Sequence, residues 1–175
     1  INTYPKYYRI DYAHYLLAMC YYEEIENEKK DLQPLILAKK KFSFIINNYP
    51  NTDFALDSKF KIGLIDEVMA SKEMYLGRHY IKKEKWIPAI NRFKNTLKDY
   101  DTTIFSEEAI HRLVEIHYRI GLEDEAKKYA SLLGYNYLSS EWYKKSYKIF
   151  NQKYEIEKIK KEKKIIKQKF KKLFE

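Results

Sequence analysis

Apolar residues recur at helical spacing along nearly the whole chain. In the first such stretch, Ile10, Ala13, Leu17 and Tyr21 fall on one helical face. The pattern predicts helices over about Arg9–Glu26, Leu35–Asn48, Asp53–Lys83, Trp86–Asp99, Thr103–Ile120 and Leu122–Leu133, and a last helix that starts near Ser139 or Ser140.

Proline and glycine mark several of the predicted helix ends. The residue before Pro50 is pushed out of helical geometry, so the second helix is expected to stop at Tyr49. Gly121 and Gly134 follow helical stretches as candidate C-terminal caps. The stretch Asp53–Lys83 predicts either one helix of about 45 Å or two helices that break near Ser71.

Helix pairs with small and aromatic residues at fixed offsets predict a repeat. In the tetratricopeptide unit, a helix pair of about 34 residues, small residues let two helices approach and aromatic residues fill the gap. Gly77 and Ala89 are 12 residues apart, as that unit requires, and Phe93 follows Ala89. Ala38 and Phe42 repeat the pattern, with Pro50 at the closing position 12 residues after Ala38. Ala126 marks a third copy.

The predicted fold is therefore all-α: a tetratricopeptide-like solenoid of about three helix pairs with an amphipathic helix after them. The repeat array is expected over residues 1–148 and the last helix over residues 149–175. Because terminal repeats normally carry polar outer faces, the apolar first helix indicates that further repeats precede Ile1.

Composition favours long helices over a sandwich or barrel. The 175 residues include only 4 Gly and 4 Pro, too few for many tight turns, while 45% of residues are hydrophobic and 34% charged. No apolar run approaches the ~20 residues of a membrane-spanning helix. A single cysteine, Cys20, excludes an internal disulfide and a cysteine-based zinc site, and its place in an apolar stripe predicts a small core residue.

The net charge of +9 is concentrated at the C-terminus. Residues 151–175 hold 10 Lys and 4 Glu. Three interpretations of this basic segment are open: a cap that packs on the last repeat, a partner-binding helix, or a helix on an anionic membrane surface. A nearly neutral body without a recognisable nucleic-acid module argues against nucleic acid as a partner. A heptad stripe with two polar interruptions, Gln152 and Lys163, follows alternating spacings of three and four residues. Its members are Ile149, Gln152, Ile156, Ile159, Lys163, Ile166, Phe170 and Leu173.

No catalytic, metal-binding or phosphate-binding motif is found, so no cofactor is expected. His111 and His117 are six residues apart, on different helix faces, and are interpreted as packing residues. The pair Asp66-Glu67 could form a catalytic carboxylate pair. The acidic groups 107–108 and 123–125 are better explained as N-terminal helix charges that favour the helix dipole.

Arginine stands out in a chain that otherwise uses lysine freely, at Arg78, Arg92, Arg112 and Arg119. The planar guanidinium group of arginine binds a carboxylate through two hydrogen bonds. Each of these arginines could therefore form an ion pair with a carboxylate of the same chain or contact a partner. Both alternatives stay open, and Arg92, beside Phe93, is the first candidate for a partner contact.

Eight short stretches together resemble the BamD (ComL) family of outer-membrane assembly lipoproteins, in particular its alphaproteobacterial branch. No single stretch is diagnostic, but their order and spacing match over about residues 1–148. They are Arg9–Ala13, Tyr49–Thr52, Lys72–Tyr80, Ala89–Phe93, Glu108–Glu115, Gly121–Ala126, Leu133–Asn136 and Ser140–Tyr143.

The resemblance implies a non-catalytic scaffold on the periplasmic face of the outer membrane. Members bind the periplasmic POTRA region of the barrel subunit BamA and other lipoproteins of the machinery, and they help to recognise unfolded outer-membrane proteins. Membrane association would come from a lipid anchor that this sequence does not contain. The resemblance implies a POTRA contact at Arg92, with Arg78, Tyr80 and Trp86 near it and Arg112 as a further candidate.

A scaffold is one of two function classes that the sequence leaves open. The other is a repeat adaptor, or an accessory domain of a periplasmic cell-envelope enzyme whose catalytic part lies outside this sequence.

Overall fold

The computed structural model describes residues 7–24 and 31–151. These residues form helices and no strand, which confirms the predicted all-α, tetratricopeptide-like class. The helices are α1 (Ile10–Glu23), α2 (Gln33–Asn48), α3 (Asp53–Lys82), α4 (Trp86–Asp99), α5 (Ser106–Arg119), α6 (Glu123–Asn136) and α7 (Glu141–Phe150).

The chain divides into two compact units, Ile1–Ser106 and Glu107–Glu175. The first unit contains α1 to α4, and the second contains all but the first residue of α5, together with α6 and α7. The basic helix predicted over 149–175 lies, apart from its first three residues, outside the described residues. The boundary predicted at residue 148 stays a prediction.

In the first unit, α2 packs between α1 and α3, and α4 packs on α3. The core contains small residues where helices approach closely and large apolar residues between them, as close packing requires. One cluster of fully buried residues, contributed by α1, α2 and α3, contains Ala18, Leu35, Ala38, Phe42, Ile45, Ala55 and Ile65.

The long helix α3 is continuous over 30 residues, with no break near Ser71. The Thr52 side chain caps its start by accepting a hydrogen bond from the Ala55 backbone N–H at 3.2 Å. Pro50 lies exposed in the turn between Tyr49, the C-cap of α2, and this N-cap of α3. Of the two alternatives for this stretch, the single helix is correct.

α3 and α4 approach each other closely at Gly77. A Cβ atom placed on this glycine would lie 2.6 Å from Cε1 and Cζ of the Phe93 ring. Gly77, Ala89 and Phe93 are all buried, and Phe93 is fully enclosed. The ring therefore fills the space that a side chain at residue 77 would need.

The second unit has a similar close approach, and it corrects one predicted helix end. A Cβ atom on Gly134 would lie 2.7 Å from Cε2 of Tyr143, so this glycine packs against α7. The predicted end of α6 at Gly134 was wrong, because the helix continues to Asn136. Gly121 does have the positive φ, +84°, that a helix-ending glycine adopts. Ala126 is fully buried in α6.

The predicted start of α5 at Thr103 was also wrong, because the helix begins at Ser106. Two hydroxyl groups hold the preceding residues in a turn. Thr103 Oγ1 donates to the Tyr100 carbonyl at 2.7 Å, and Ser106 Oγ donates to the Asp101 carbonyl at 2.7 Å. These side-chain bonds compete with continuation of the helix.

The prediction that Cys20 is a core residue was wrong, because its side chain is exposed. The buried face of α1 is centred on Ala18, which is fully buried. Two residues further along a helix is a rotation of about 200°, so Cys20 lies on the opposite side. The four residues expected to form the apolar face are only half-buried: Ile10, Ala13, Leu17 and Tyr21.

Gly77→Ala should destabilise the first unit. Alanine gains up to about 1 kcal/mol of helix propensity, but displacing the Phe93 ring costs more, and we expect a net loss of about 1–2 kcal/mol. The measurement is urea unfolding followed by far-UV circular dichroism.

Gly63→Ala is the matched control within the same helix. A Cβ atom at residue 63 meets nothing within 4 Å. The control should therefore stabilise the protein by up to about 1 kcal/mol. Equal effects of the two substitutions would contradict the close approach at Gly77.

Candidate interaction surface

The predicted contact residue Arg92 lies on α4, where it pairs with a carboxylate of α3. Its Nη1 donates to Glu73 Oε1 at 3.0 Å and to Oε2 at 3.4 Å. Asn95, one turn further along α4, donates from Nδ2 to Glu73 Oε2 at 3.1 Å. The intramolecular carboxylate pair, one of the two interpretations of Arg92, is therefore present.

This pairing uses only one of the three nitrogen atoms of the Arg92 guanidinium group. Within residues 7–24 and 31–151, no acceptor bonds to its Nε or Nη2. The Arg92 side chain is 36% exposed, whereas Glu73 is 16% exposed. The edge formed by Nε and Nη2 is one that binds a carboxylate with two parallel hydrogen bonds. Arg92 can thus keep Glu73 and still accept a second anionic group.

The other three residues predicted near Arg92 lie around the turn that joins α3 to α4. Tyr80 closes this turn through its carbonyl, which accepts from the backbone N–H groups of Lys83 at 3.1 Å and Lys85 at 3.0 Å. Arg78 belongs to the last turns of α3, and Trp86 is the first residue of α4. All three are half-buried, and Arg78 and Trp86 both have contacts within the protein.

Arg112, the fifth predicted contact residue, belongs to the second unit and bridges two carboxylates of its own helix. It donates to Glu108 Oε1 from Nε at 3.2 Å and from Nη2 at 3.1 Å, and to Glu115 Oε2 from Nη1 at 2.6 Å. Burial opposes its charge, but hydrogen bonds to these two carboxylates raise the pKa of Arg112. Unlike Arg92, it has all three guanidinium nitrogens bonded inside the chain. Its role in partner contact stays a prediction.

In the second unit, a buried serine and a buried histidine meet a partly exposed glutamate. His111 Nδ1 lies 2.8 Å from Ser146 Oγ, and its Nε2 lies 3.7 Å from Glu115 Oε2. The His111 ring stacks on Trp142 at a centroid distance of 5.1 Å. Ser146 is fully buried, so no substrate reaches its hydroxyl group. The arrangement holds α5 against α7 and agrees with the packing role predicted for His111.

Burial governs the protonation of His111. Removal from water lowers the pKa of His111 to about 4. The negative charge of Glu115 opposes this shift, and the positive charges of Arg112 and Lys145 add to it. The ring is therefore neutral at pH 7 and can bond Ser146 without a buried charge.

The candidate carboxylate pair Asp66-Glu67 is engaged in structural contacts. Asp66 forms an ion pair with Lys39 of α2. Glu67 Oε1 accepts a hydrogen bond from the Ile104 backbone N–H at 3.2 Å. The acidic groups 107–108 and 123–125 lie in the first turns of α5 and α6, as predicted.

The sequence did not single out Glu73 and Asn95 as parts of the Arg92 site. Glu73 precedes Arg92 by 19 residues, and only the folded α3–α4 hairpin brings them together. The available signal was the helical spacing of Arg92 and Asn95, which places both on one face of α4.

Among residues 7–24 and 31–151, no helix combines the length and the hydrophobicity of a membrane span. The His, Cys, Asp and Glu side chains of the same residues form no group of three that could hold a metal ion.

Comparison with known proteins gives consistent matches. The family model "YfiO: Outer membrane lipoprotein" matches residues 1–132. The chain is 46% identical over 149 residues to the outer membrane protein assembly factor BamD of Rickettsia prowazekii (strain Madrid E), covering 85% of this chain and 59% of that protein. It is 38% identical over 151 residues to the BamD of Caulobacter vibrioides, covering 86% and 50%. The chain thus spans only half to three fifths of these relatives.

The buried His111 predicts a loss of stability of the second unit in acid. The pKa of His111 in the folded state lies below the unfolded value of 6.5. Between pH 6.5 and about 4, the imidazole is therefore protonated in the unfolded state but neutral in the folded state, which favours unfolding. Stability should be full above pH 6.5 and fall by at most about 3 kcal/mol as the pH drops to 4. Urea unfolding at a series of pH values measures this loss.

His111→Gln separates this effect from the titration of other groups. Trp142 stacks on His111, so a Trp86→Phe background leaves one tryptophan that reports on the second unit. The glutamine variant should be less stable at pH 7 and should lose less stability between pH 6.5 and 4 than its parent. The same pH dependence in both proteins would show that His111 does not carry the effect.

Proposed function

This chain belongs to the YfiO family of outer membrane lipoproteins, and we propose that it acts as a non-catalytic scaffold of the machinery that assembles β-barrel proteins in the outer membrane. Its two alphaproteobacterial relatives are both named outer membrane protein assembly factors. The name describes assembly rather than a reaction, and the family places the protein at the outer membrane.

The proposed partner is the POTRA region of the barrel subunit BamA. The observation that supports this partner is the guanidinium group of Arg92, which has one of its three nitrogens bonded to Glu73. Glu73 fixes one nitrogen of this group, while Nε and Nη2 bond nothing in the described residues. A partner carboxylate on that edge would gain two charge-assisted hydrogen bonds without displacing Glu73. Preorganisation by Glu73 and Asn95 reduces the entropy lost on binding.

The turn between α3 and α4 extends the proposed contact beyond Arg92. Trp86 lies six residues before Arg92 on α4, about 9 Å along the helix and about 120° around it, so a partner would have to reach around the end of the hairpin to contact both. Partly buried tyrosine, tryptophan and arginine residues often dominate the energy of protein interfaces. We therefore include Tyr80, Trp86 and Arg78 in the surface that contacts the POTRA region.

The remaining parts of the proposal follow from the family. The protein would work on the periplasmic face of the outer membrane, held there by a lipid anchor in the full-length protein. It would contact other lipoproteins of the machinery and help to deliver unfolded outer-membrane proteins.

Arg92→Leu should weaken binding to the POTRA domains of BamA from the same organism. Loss of hydrogen bonds to a charged group costs about 1.5–3 kcal/mol, or roughly 10- to 150-fold in affinity. The measurement is a calorimetric titration at about 0.15 M salt, a concentration that screens distant charges. Far-UV circular dichroism checks that the helices remain.

Lys94→Leu is the matched control, because Lys94 is exposed on the same helix and its loss changes the net charge equally. This control should bind within about twofold of the parent, as expected for an exposed charge that makes no direct contact. Equal weakening by both substitutions would reduce the Arg92 effect to net charge. Unchanged affinity of Arg92→Leu would remove Arg92 from the interface.

A further inference from the structure

The turn that joins α3 to α4 carries a group of exposed lysines. Lys82 is the last residue of α3, Lys83 is its C-cap and Lys85 is the N-cap of α4. All three side chains are exposed. Within residues 7–24 and 31–151, no carboxylate pairs with any of their ammonium groups. We call residues 82–85 the hairpin tip.

The excess positive charge of the chain before its basic C-terminal segment lies at this tip. Residues 151–175 hold 10 Lys and 4 Glu, so residues 1–150 carry only +3 of the net charge of +9. The stretch from Arg78 to Lys85 contains four basic residues and one acidic residue, Glu84, which also gives +3. The other residues of 1–150 therefore sum to zero. Such a local excess gives the end of the α3–α4 hairpin a positive potential.

Local stability does not explain these charges. The C-terminal end of a helix favours a lysine such as Lys82, but Lys85 lies at the start of α4, where the helix dipole disfavours a positive charge. Its side chain does not cap the helix, and the first turn of α4 holds no acidic residue. Glu84 has a φ of +55°, a conformation that glycine adopts more readily. Two adjacent residues of the tip are thus ones that a tight turn by itself does not favour.

Lys85 lies on the same side of α4 as Arg92. The Lys85 carbonyl accepts from the Ala89 backbone N–H at 3.2 Å, so Lys85 takes its place in the first turn of the helix. The seven residues to Arg92 correspond to about 10 Å along α4 and only about 20° around it. A partner that reaches from Arg92 around the hairpin end to Trp86 therefore passes the tip.

The character of the tip favours an acidic protein surface over an anionic membrane. Helices that lie on membranes bury a broad apolar face beside their lysines. At the tip, only Ile87 is a strongly exposed apolar residue, at 66%, and Trp86 is half-buried. The edge of Arg92 formed by Nε and Nη2 is also suited to a carboxylate. Both features are complementary to negative charge on the same protein partner.

We propose that the hairpin tip steers an acidic face of the POTRA region onto Arg92. This proposal rests on the proposed function and adds the sign of charge on the partner surface. It also divides the roles of the basic residues. The exposed lysines set the rate of association, because hydrated charges at the rim of an interface attract a partner over a distance. Arg92 and the carboxylate that it binds set the rate of dissociation.

Association kinetics with the POTRA domains of BamA from the same organism test the steering. The tip variant combines Lys82→Gln, Lys83→Gln and Lys85→Gln. Steered association is about 10- to 1,000-fold faster than association without steering. At 0.05 M salt, we expect the tip variant to associate about tenfold more slowly than the parent, with a dissociation rate within about twofold. The difference should vanish at 1 M salt, where charges are screened beyond about 3 Å.

The matched control loses the same charge elsewhere in the first unit. It combines Lys40→Gln, Lys59→Gln and Lys98→Gln, three exposed lysines of α2, α3 and α4. Lys98 lies at the far end of α4 from the tip. Both variants keep residues 151–175, so the charge of that segment is the same in each. The control should associate within about twofold of the parent.

Lys85→Ser separates partner contact from local stability. Serine is a favoured N-cap residue and lysine is not, so this substitution should raise the urea midpoint of unfolding. The same variant should associate about twofold more slowly with the POTRA domains. A lower midpoint with an unchanged association rate would show that Lys85 serves the fold and would contradict its steering role.

The outcomes distinguish the steering from the POTRA contact itself. Saturable binding with an unchanged association rate in the tip variant, or with equal slowing in the tip variant and the control, would overturn the steering alone. No saturable binding by the parent would refute the proposed function and the steering with it. An unchanged association rate, together with weaker binding of the tip variant to phosphatidylglycerol vesicles, would assign the tip to a membrane and overturn the proposal.

Discussion

The packing of the Phe93 ring against the bare backbone of Gly77 is the contact on which the α3–α4 hairpin depends. The glycine lets the helices approach until a Cβ atom at residue 77 would lie 2.6 Å from the ring. Glu73 lies one helical turn before Gly77, and Arg92 adjoins Phe93. The contact that sets the helix spacing therefore also brings the guanidinium group to the carboxylate. A larger residue at position 77 would disturb both packing and the candidate interaction surface.

The same long helix organises the rest of the first unit through polar contacts at its edges. Three carboxylates along α3 each bind a different neighbour: Asp57 accepts from Tyr15 of α1, Asp66 pairs with Lys39 of α2, and Glu73 pairs with Arg92 of α4. Burial, together with the bond to Asp57, raises the pKa of Tyr15 to about 12, so that its hydroxyl group remains a donor. Hydrophobic interactions in the core do not fix how the helices are oriented, because they are non-directional. The partly buried polar pairs supply that orientation.

The two units use their arginines differently, and this difference distinguishes a candidate contact from a packing residue. Arg112 bonds with all three guanidinium nitrogens to carboxylates of its own helix and lies over the Trp142 ring at 5.6 Å. Arg92 bonds with one nitrogen and offers the other two. The sequence places Glu108 and Glu115 one helical turn on either side of Arg112, whereas the carboxylate that pairs with Arg92 comes from another helix. Guanidinium recognition depends on which edge is satisfied, and that is a property of the fold.

The sequence alone determined the helical class, most helix ends and the close approach at Gly77. Periodicity, Pro50 and Gly121 act through local backbone geometry. It also directed attention to Arg92. It failed at Cys20, Gly134 and Thr103, where the surrounding structure selects a helix face or a helix end. Only the tertiary structure paired Arg92 with Glu73 and His111 with Ser146, 19 and 35 residues away, because such contacts depend on how helices pack against each other.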